Sequence, residues 1–388
     1  MEPSEDLDDF SLLGGPLHHL GCRLGLVRDG TNPIALGLVL GILLWSVLLA
    51  LALAEGLGHV FLSIAAIGAH VRLLVTIPLL FVAEAFVDPR FSEFVRGIVR
   101  SRIVPPAARP ALQIELARIG RWRDAWLPEA FFLLVTVLLA ATAENRDFFA
   151  YFSGLAGGSA SAVRTTAWSS QWYWLICITL FRFLWLRWLW RLALWSFLLW
   201  RISKLDLRLV PIHPDRSGGL GFLQVVHSEF APLVLAISAT QAASLANEIA
   251  SGRLAFEAIY PGVAFVLVVD AVLFIGPLLI FSRNLWRCQV KGLSDYSGFA
   301  ERYVDEFNRK WLAGGISQEP LLGSADIQSL ADLSNSIAIV REMRLVPVSP
   351  TLWLCLAVAA LLPLLPLVLF KYPIAMLVEK FFARMSGL

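Results

Sequence analysis

Charge is scarce in this sequence. Only 16% of its 388 residues are Asp, Glu, Lys or Arg, against about 25% in ordinary soluble domains. With 57% hydrophobic residues and a mean hydropathy of +0.69, the chain has too little polar surface to clothe a water-soluble fold. Cysteine is scarce as well: Cys22, Cys177, Cys288 and Cys355 form no CxxC pair, which excludes a disulfide framework and a zinc knuckle. His18, His19 and Cys22 are too few and too terminal to argue for a metal. There is no HExxH, no nucleophile elbow and no kinase signature, so no catalytic residue, metal or other cofactor is expected. The opening residues, with Glu2, Glu5, Asp6, Asp8 and Asp9, lack the basic start and small-residue cleavage site of a signal peptide, and the first apolar segment is expected to be retained. A net charge of +2 carries no footprint for nucleic acid, which is not expected as a partner.

What the sequence has is apolar runs long enough to cross a bilayer, which takes about 20 helical residues. They fall near 33–54, 68–87, 126–143, 170–192, 225–248, 260–282 and 352–370. The expected fold is therefore all-α: a polytopic transmembrane helix bundle of about seven spans with a small cytoplasmic helical insertion. The expected divisions are a tail over 1–32, a six-span bundle over 33–283, the insertion over 284–350, and a last span and tail over 351–388. Stretches 89–125, 201–224 and 284–350 together hold 19 Lys and Arg, whereas 55–70, 144–169 and 249–259 hold 3. The positive-inside rule places the first set, and the N-terminus, in the cytoplasm. The tail 371–388, with Lys371, Lys380 and Arg384, lies outside on that reading or forms an interfacial helix.

Within the insertion, Phe299, Tyr303, Phe307 and Trp311 recur every four residues, an aromatic helical face. Ser324 precedes a second helix carrying Ile327, Leu330, Leu333, Ile337 and Val340, and Gly314, Gly315 and Pro320 separate the two. This pair either packs under the bundle, contacts a second copy in a homo-oligomer, or binds a cytoplasmic protein partner through 299–345. Three short echoes, Arg102-Ile-Val-Pro105, Arg208-Leu-Val-Pro211 and Arg344-Leu-Val-Pro347, fall one in each cytoplasmic connection; proline punctuation alone accounts for such a pattern.

The fourth run holds eight tryptophans between 168 and 200. Trp172 to Trp190 covers about 27 Å of helix, the separation of two interfacial belts. Beyond them, Arg187, Arg191, Arg201 and Arg208 form a basic stripe suited to lipid headgroups or another anion. Arg182 lies between the belts and Asp270 at similar depth. A charge there is costly unless paired or wetted, so the two are expected to pair, as a static contact or as part of an ion path. Glu84, Glu129 and Glu229, with His227 nearby, sit close to the inner boundary, where they either pair with Arg187 and Arg191 or ring the mouth of a cation path. The fifth run contains Thr240, Gln241, Ser244 and Asn247, residues that allow close helix packing or line water. Before it, the loop 213–222 has Gly218, Gly219 and Gly221 and resembles a phosphate loop only loosely, since the lysine and preceding strand are missing.

That loop, HPDRSGGLGFL over 213–223, together with ADIQSLADLSNSIAIVREMRLVP over 325–347, resembles a group of bacterial multi-pass membrane proteins with no assigned activity. The resemblance implies a bacterial cytoplasmic (inner) membrane and carries no functional residue. Asp270, Arg182, Thr240, Gln241, Ser244, Asn247, Glu84 and Glu229 are thus the candidates for a substrate or ion path in a transport or channel-like protein. The alternatives are a membrane sensor or scaffold, and a lipid-processing enzyme built on His213, Asp215, His227 and Glu229.

Overall fold

A computed structural model describes residues 11–12, 14–15, 33–141, 168–312 and 324–371. All regular structure among the described residues is helical. The principal helices are α1 (Pro33–Ala54), α2 (Ile77–Arg100), α3 (Arg109–Arg123), α4 (Trp126–Ala141), α5 (Ile178–Ser203), α6 (Phe222–Ser228), α7 (Ala231–Ala250), α8 (Tyr260–Phe274), α9 (Ser282–Phe307), α10 (Ala325–Arg341) and α11 (Pro350–Leu361). With the turns that extend them, 6 helical runs among the described residues are long and apolar enough to cross a membrane: Pro33–Ala54, Ile67–Arg100, Pro106–Ala141, Phe222–Ala250, Phe256–Phe274 and Pro350–Phe370. The expected count of about seven is therefore supported for six. The remaining run, predicted over 170–192, is helical from Trp168 to Ser203, but Arg182, Arg187 and Arg191 interrupt its apolar composition. It is nevertheless central to the core, with Trp188, Trp195, Leu198 and Leu199 buried.

Prolines accompany three of the departures from regular helix, because a ring and a missing N–H disrupt the bond to the fourth preceding carbonyl. Pro78 follows a wide π turn over Val71–Thr76, Pro277 lies in a 3₁₀ stretch over Gly276–Phe281, and Pro363 and Pro366 lie in another over Leu362–Leu367. Helix α1 buries one stripe, Gly37, Gly41, Leu44, Leu48 and Ala52. The spacing keeps that stripe on one face. A Cβ at Gly41 would collide with the Leu73 carbonyl, so glycine is what lets the two backbones approach.

Helices α9 and α10 pack against each other. Tyr303 Oη donates to the Asp326 carbonyl at 3.0 Å, Lys310 Nζ and Trp311 Nε1 reach the Asp326 carboxylate at 2.8 and 3.1 Å, and Ser324 caps α10 by accepting from Asp326 N. The break at Gly314, Gly315 and Pro320 lies outside the described residues, as do the interfacial-helix reading of 372–388 and most of the tail 1–32. Ser11 and Leu12 are described. Ser11 Oγ and Leu12 N donate to Asp88, and Arg123 Nη1 donates to the Ser11 carbonyl.

The three Arg-x-Val-Pro echoes meet at one end of the bundle. Arg208 N donates to the Ile103 carbonyl at 2.8 Å, Val210 N to Gly218 at 3.2 Å, and Arg344 N to Arg216 at 2.7 Å. The loop 213–222 is the hub that ties them. Its organiser is Asp215, whose carboxylate accepts from Ser217 N at 2.8 Å, Gly219 N at 3.2 Å and Gly221 N at 2.7 Å. Gly218 and Gly219 adopt φ of +65° and +98°, and a Cβ on Gly221 would strike Asp215, so the glycines are there for the fold of the loop.

Candidate functional site

The basic stripe and the acidic set largely neutralise one another. Glu84 meets Arg191 at 2.7 Å, Glu129 meets Arg187 at 3.3 Å, and Glu229 meets Arg90 at 3.3 Å. Arg201 is held by Glu115, which also takes Arg118 at 2.9 Å. Glu115 was missed in the sequence because α3 had not been read as an element facing the bundle; its buried stripe of Leu112, Glu115, Leu116 and Ile119 is the signal that would have found it. Of the four stripe residues only Arg208 has an exposed side chain with no carboxylate among the described residues.

Arg182 and Asp270 do not pair, contrary to expectation. Arg182 makes no hydrogen bond or ion pair among the described residues, and its Nη1 is buried. It lies near the buried Tyr173 hydroxyl, which accepts from Arg72 Nη1 at 2.7 Å. Asp270 is 6% exposed and no ion pair or backbone donor reaches its carboxylate among the described residues, the Ser238 hydroxyl being its polar neighbour. The reason for the mismatch is azimuthal. Helix α8 buries only Val266, Asp270 and Phe274, a single seam four residues apart, and that seam faces α7 running antiparallel to it. Gly262 approaches Leu245, Phe274 stacks with Phe230 at 5.5 Å, and Asp270 lies beside Ser238. Ser238 Oγ is itself buried without a bond.

The fifth run is mostly committed to packing. Thr240 Oγ1 contacts Thr76 Oγ1 at 2.9 Å and donates to the Ala236 carbonyl, and Ser244 Oγ donates to the Thr240 carbonyl at 3.0 Å. Gln241 is partly buried, and Asn247 keeps a buried Oδ1 without a partner. The alanines of the same helix line an apolar cavity of about 560 Å³ together with Pro363, Pro366 and Leu367, a surface suited to an acyl chain rather than to an ion.

The residues considered for an enzyme hold structural bonds. His227 is 1% exposed, with one ring nitrogen against the Phe274 carbonyl at 2.5 Å and the other accepting from Trp195 Nε1 at 3.2 Å. Glu229 serves Arg90, and His213 contacts Asp215 at 2.8 Å. The backbone N–H groups that a phosphate would need from the 213–222 loop are taken by Asp215 itself. Burial opposes the Asp215 charge, but the N–H groups of Ser217, Gly221 and Gly219, helped by His213, outweigh it and hold the carboxyl below its ordinary value of 3.8. A depressed acid stabilises the fold above that value and loses its contribution as pH falls through the lower folded one. The difference in unfolding midpoint between wild type and Asp215→Asn is therefore expected to be constant above about pH 5 and to begin shrinking as the pH falls below the ordinary carboxylate value, vanishing only below the lower folded one. A difference that persists undiminished at pH 3 would contradict this role.

These features define a helical membrane protein that holds, inside one of its apolar runs, a buried carboxyl with no counterion among the described residues. No protein-family model, curated protein or solved structure matches the chain.

Proposed function

We propose that the protein is a transport or channel-like protein of the bacterial inner membrane, with a path for a proton or small cation that passes Asp270. The observation that carries this reading is the Asp270 carboxyl, 6% exposed, with no cation beside it and only the Ser238 hydroxyl as a polar neighbour among the described residues. An inert bundle gains nothing from such a group, whose cost at membrane depth is at least a few kcal/mol. Ser238 supplies the neighbouring oxygen that a cation or a proton-carrying water would use. Thr240 and Ser244, bonded to the protein, support the packing of α7; Glu84 and Glu229, already paired, serve the inner boundary. Asn247 and Ser238 are left to line the path on α7.

If water reaches Asp270, a cysteine at Ser238 or Asn247 in a chain otherwise free of thiols should react with a small hydrophilic thiol reagent within minutes, while Ala243→Cys and Leu245→Cys stay unmodified. A dry interface gives no reaction at any of the four. Orientation follows from the loop charges, with the N-terminus and the basic connections in the cytoplasm. A cysteine replacing exposed Arg253 should label from outside in intact cells and one replacing exposed Asp206 should not; external labelling at 206 would reverse the assignment.

A second reading, a membrane sensor or scaffold, rests on the α9–α10 pair, where Phe299, Leu312 and Ile327 are 51%, 72% and 41% exposed. On that reading a partner, or a second copy of the chain, covers these side chains, and their replacement by serine abolishes association without altering flux. The lipid bilayer is the surrounding partner on either reading.

A further inference from the structure

At the end of the bundle where the three Arg-x-Val-Pro connections meet lies a cavity of about 780 Å³, within the range of small-molecule sites. Five cations line it: Lys204 and Arg208 from the segment that follows α5, and Arg283, Arg287 and Lys291 from α9. Two acids, Asp206 and Asp295, share the wall. None of the five makes an ion pair or a side-chain hydrogen bond among the described residues; Lys204 only approaches the Trp200 ring, at 5.8 Å. This contrasts with Arg187, Arg191 and Arg201 a few turns away on α5, each of which has its own glutamate.

The row on α9 repeats every four residues, so its like charges stack on one helical face and repel one another. Arg187, Arg191 and Arg201 each have a carboxylate at hydrogen-bond distance, whereas the five exposed cations here have only Asp206 and Asp295 on the same wall and no ion pair with either. Trp200, whose ring Lys204 approaches, and Trp286, next in sequence to Arg287, are exposed at 42% and 54%, and exposed tryptophan next to cations is common at the headgroup level of a bilayer. Five cations against two acids in a concave site are the complement of a compact anion with several oxygens.

We infer that this cavity binds a phosphate-bearing anion with net negative charge, either the headgroup of an anionic phospholipid or a soluble phosphorylated molecule. The site is independent of the path past Asp270. It is also the one place where the basic character of the segment after α5, carried by Arg208, is open to a ligand.

Cys288 lines the same cavity and is partly exposed, which gives a direct reporter of occupancy. The full chain, with Cys22, Cys177 and Cys355 replaced by alanine, is placed in nanodiscs and the rate of Cys288 labelling by a charged maleimide is followed. A lipid headgroup predicts labelling at least fivefold slower in phosphatidylglycerol than in phosphatidylcholine. A soluble ligand predicts equal rates in the two lipids, with millimolar pyrophosphate slowing labelling in phosphatidylcholine where the same ionic strength of chloride does not. In either case Arg283→Gln/Arg287→Gln/Lys291→Gln should abolish the protection, read as the ratio of protected to unprotected rate within the same variant because Lys291 itself favours the Cys288 thiolate; Arg287→Gln alone, with protection reduced, serves where the triple variant does not purify. Labelling indifferent to both lipid and pyrophosphate, or protection that survives the neutralisation, overturns the site.

Discussion

Glutamine in place of Glu84 is expected to cost the folded protein about 3 to 5 kcal/mol, the scale for removing one partner of a buried ion pair. The pair is short, 2.7 Å from Arg191 Nη1 to the carboxylate, and its side chains are only 9% and 15% exposed. Arg191 also lies over the Trp188 ring at 5.3 Å, so its position is fixed by packing and it cannot swing out to water when its partner is lost. The cost is that of a guanidinium stranded in a medium of low dielectric. Replacing both residues, as Glu84→Gln/Arg191→Met, removes the stranded charge and should recover a large part of the stability. A double-mutant cycle from unfolding in detergent measures this directly. Losses that simply add would mean that the two charges do not act as a pair.

Asparagine at position 270 is expected to do the reverse: little harm to the fold and a large loss of function. Asp270 has no counterion to strand, so neutralising it removes a desolvated charge and should leave the folded yield equal or higher. If the carboxyl carries a proton or cation in transit, Asp270→Asn should reduce flux at least tenfold, while Asp270→Glu retains part of it because the acid is kept. A structural acid predicts the opposite pair of results, a lower yield with Asn and no specific effect on flux.

The contrast between these two acids marks what was legible in the sequence. The depth of each charge could be read from its distance to the tryptophan belts and the ends of the apolar runs, and depth together with sign made Arg191 and Arg187 candidates for Glu84 and Glu129, one of the two readings left open. Glu229 of the same set found Arg90 instead. Asp270 and Arg182 also matched in depth, yet pairing needs two helices that face each other, and the seam of α8 faces α7. That seam was present in the spacing Val266, Asp270, Phe274, but an almost uniformly apolar helix gives no polar face from which its direction could be read. The contact of Thr240 with Thr76 is set by tertiary packing alone, and so the choice between a water-lined face and an interface stayed open in the sequence. The Arg-x-Val-Pro echoes and the glycine loop were visible as text; that they converge on one another through Asp215 and the carbonyls of Ile103, Arg216 and Gly218 depends on how the helices assemble. The row Arg283, Arg287, Lys291 was available as a plain spacing of four, the signal for one helical face.

The measurement that bears most directly on the central claim is ion flux by the purified chain in sealed vesicles, with a pH-sensitive dye inside and a potassium diffusion potential imposed in either direction. Wild type should carry protons, or a monovalent cation supplied in place of them, at a rate well above empty vesicles, and Asp270→Asn reconstituted at the same density should fall to the empty-vesicle rate. Flux that is absent from wild type under both signs of potential, or that is undiminished by Asp270→Asn, would contradict a path through Asp270.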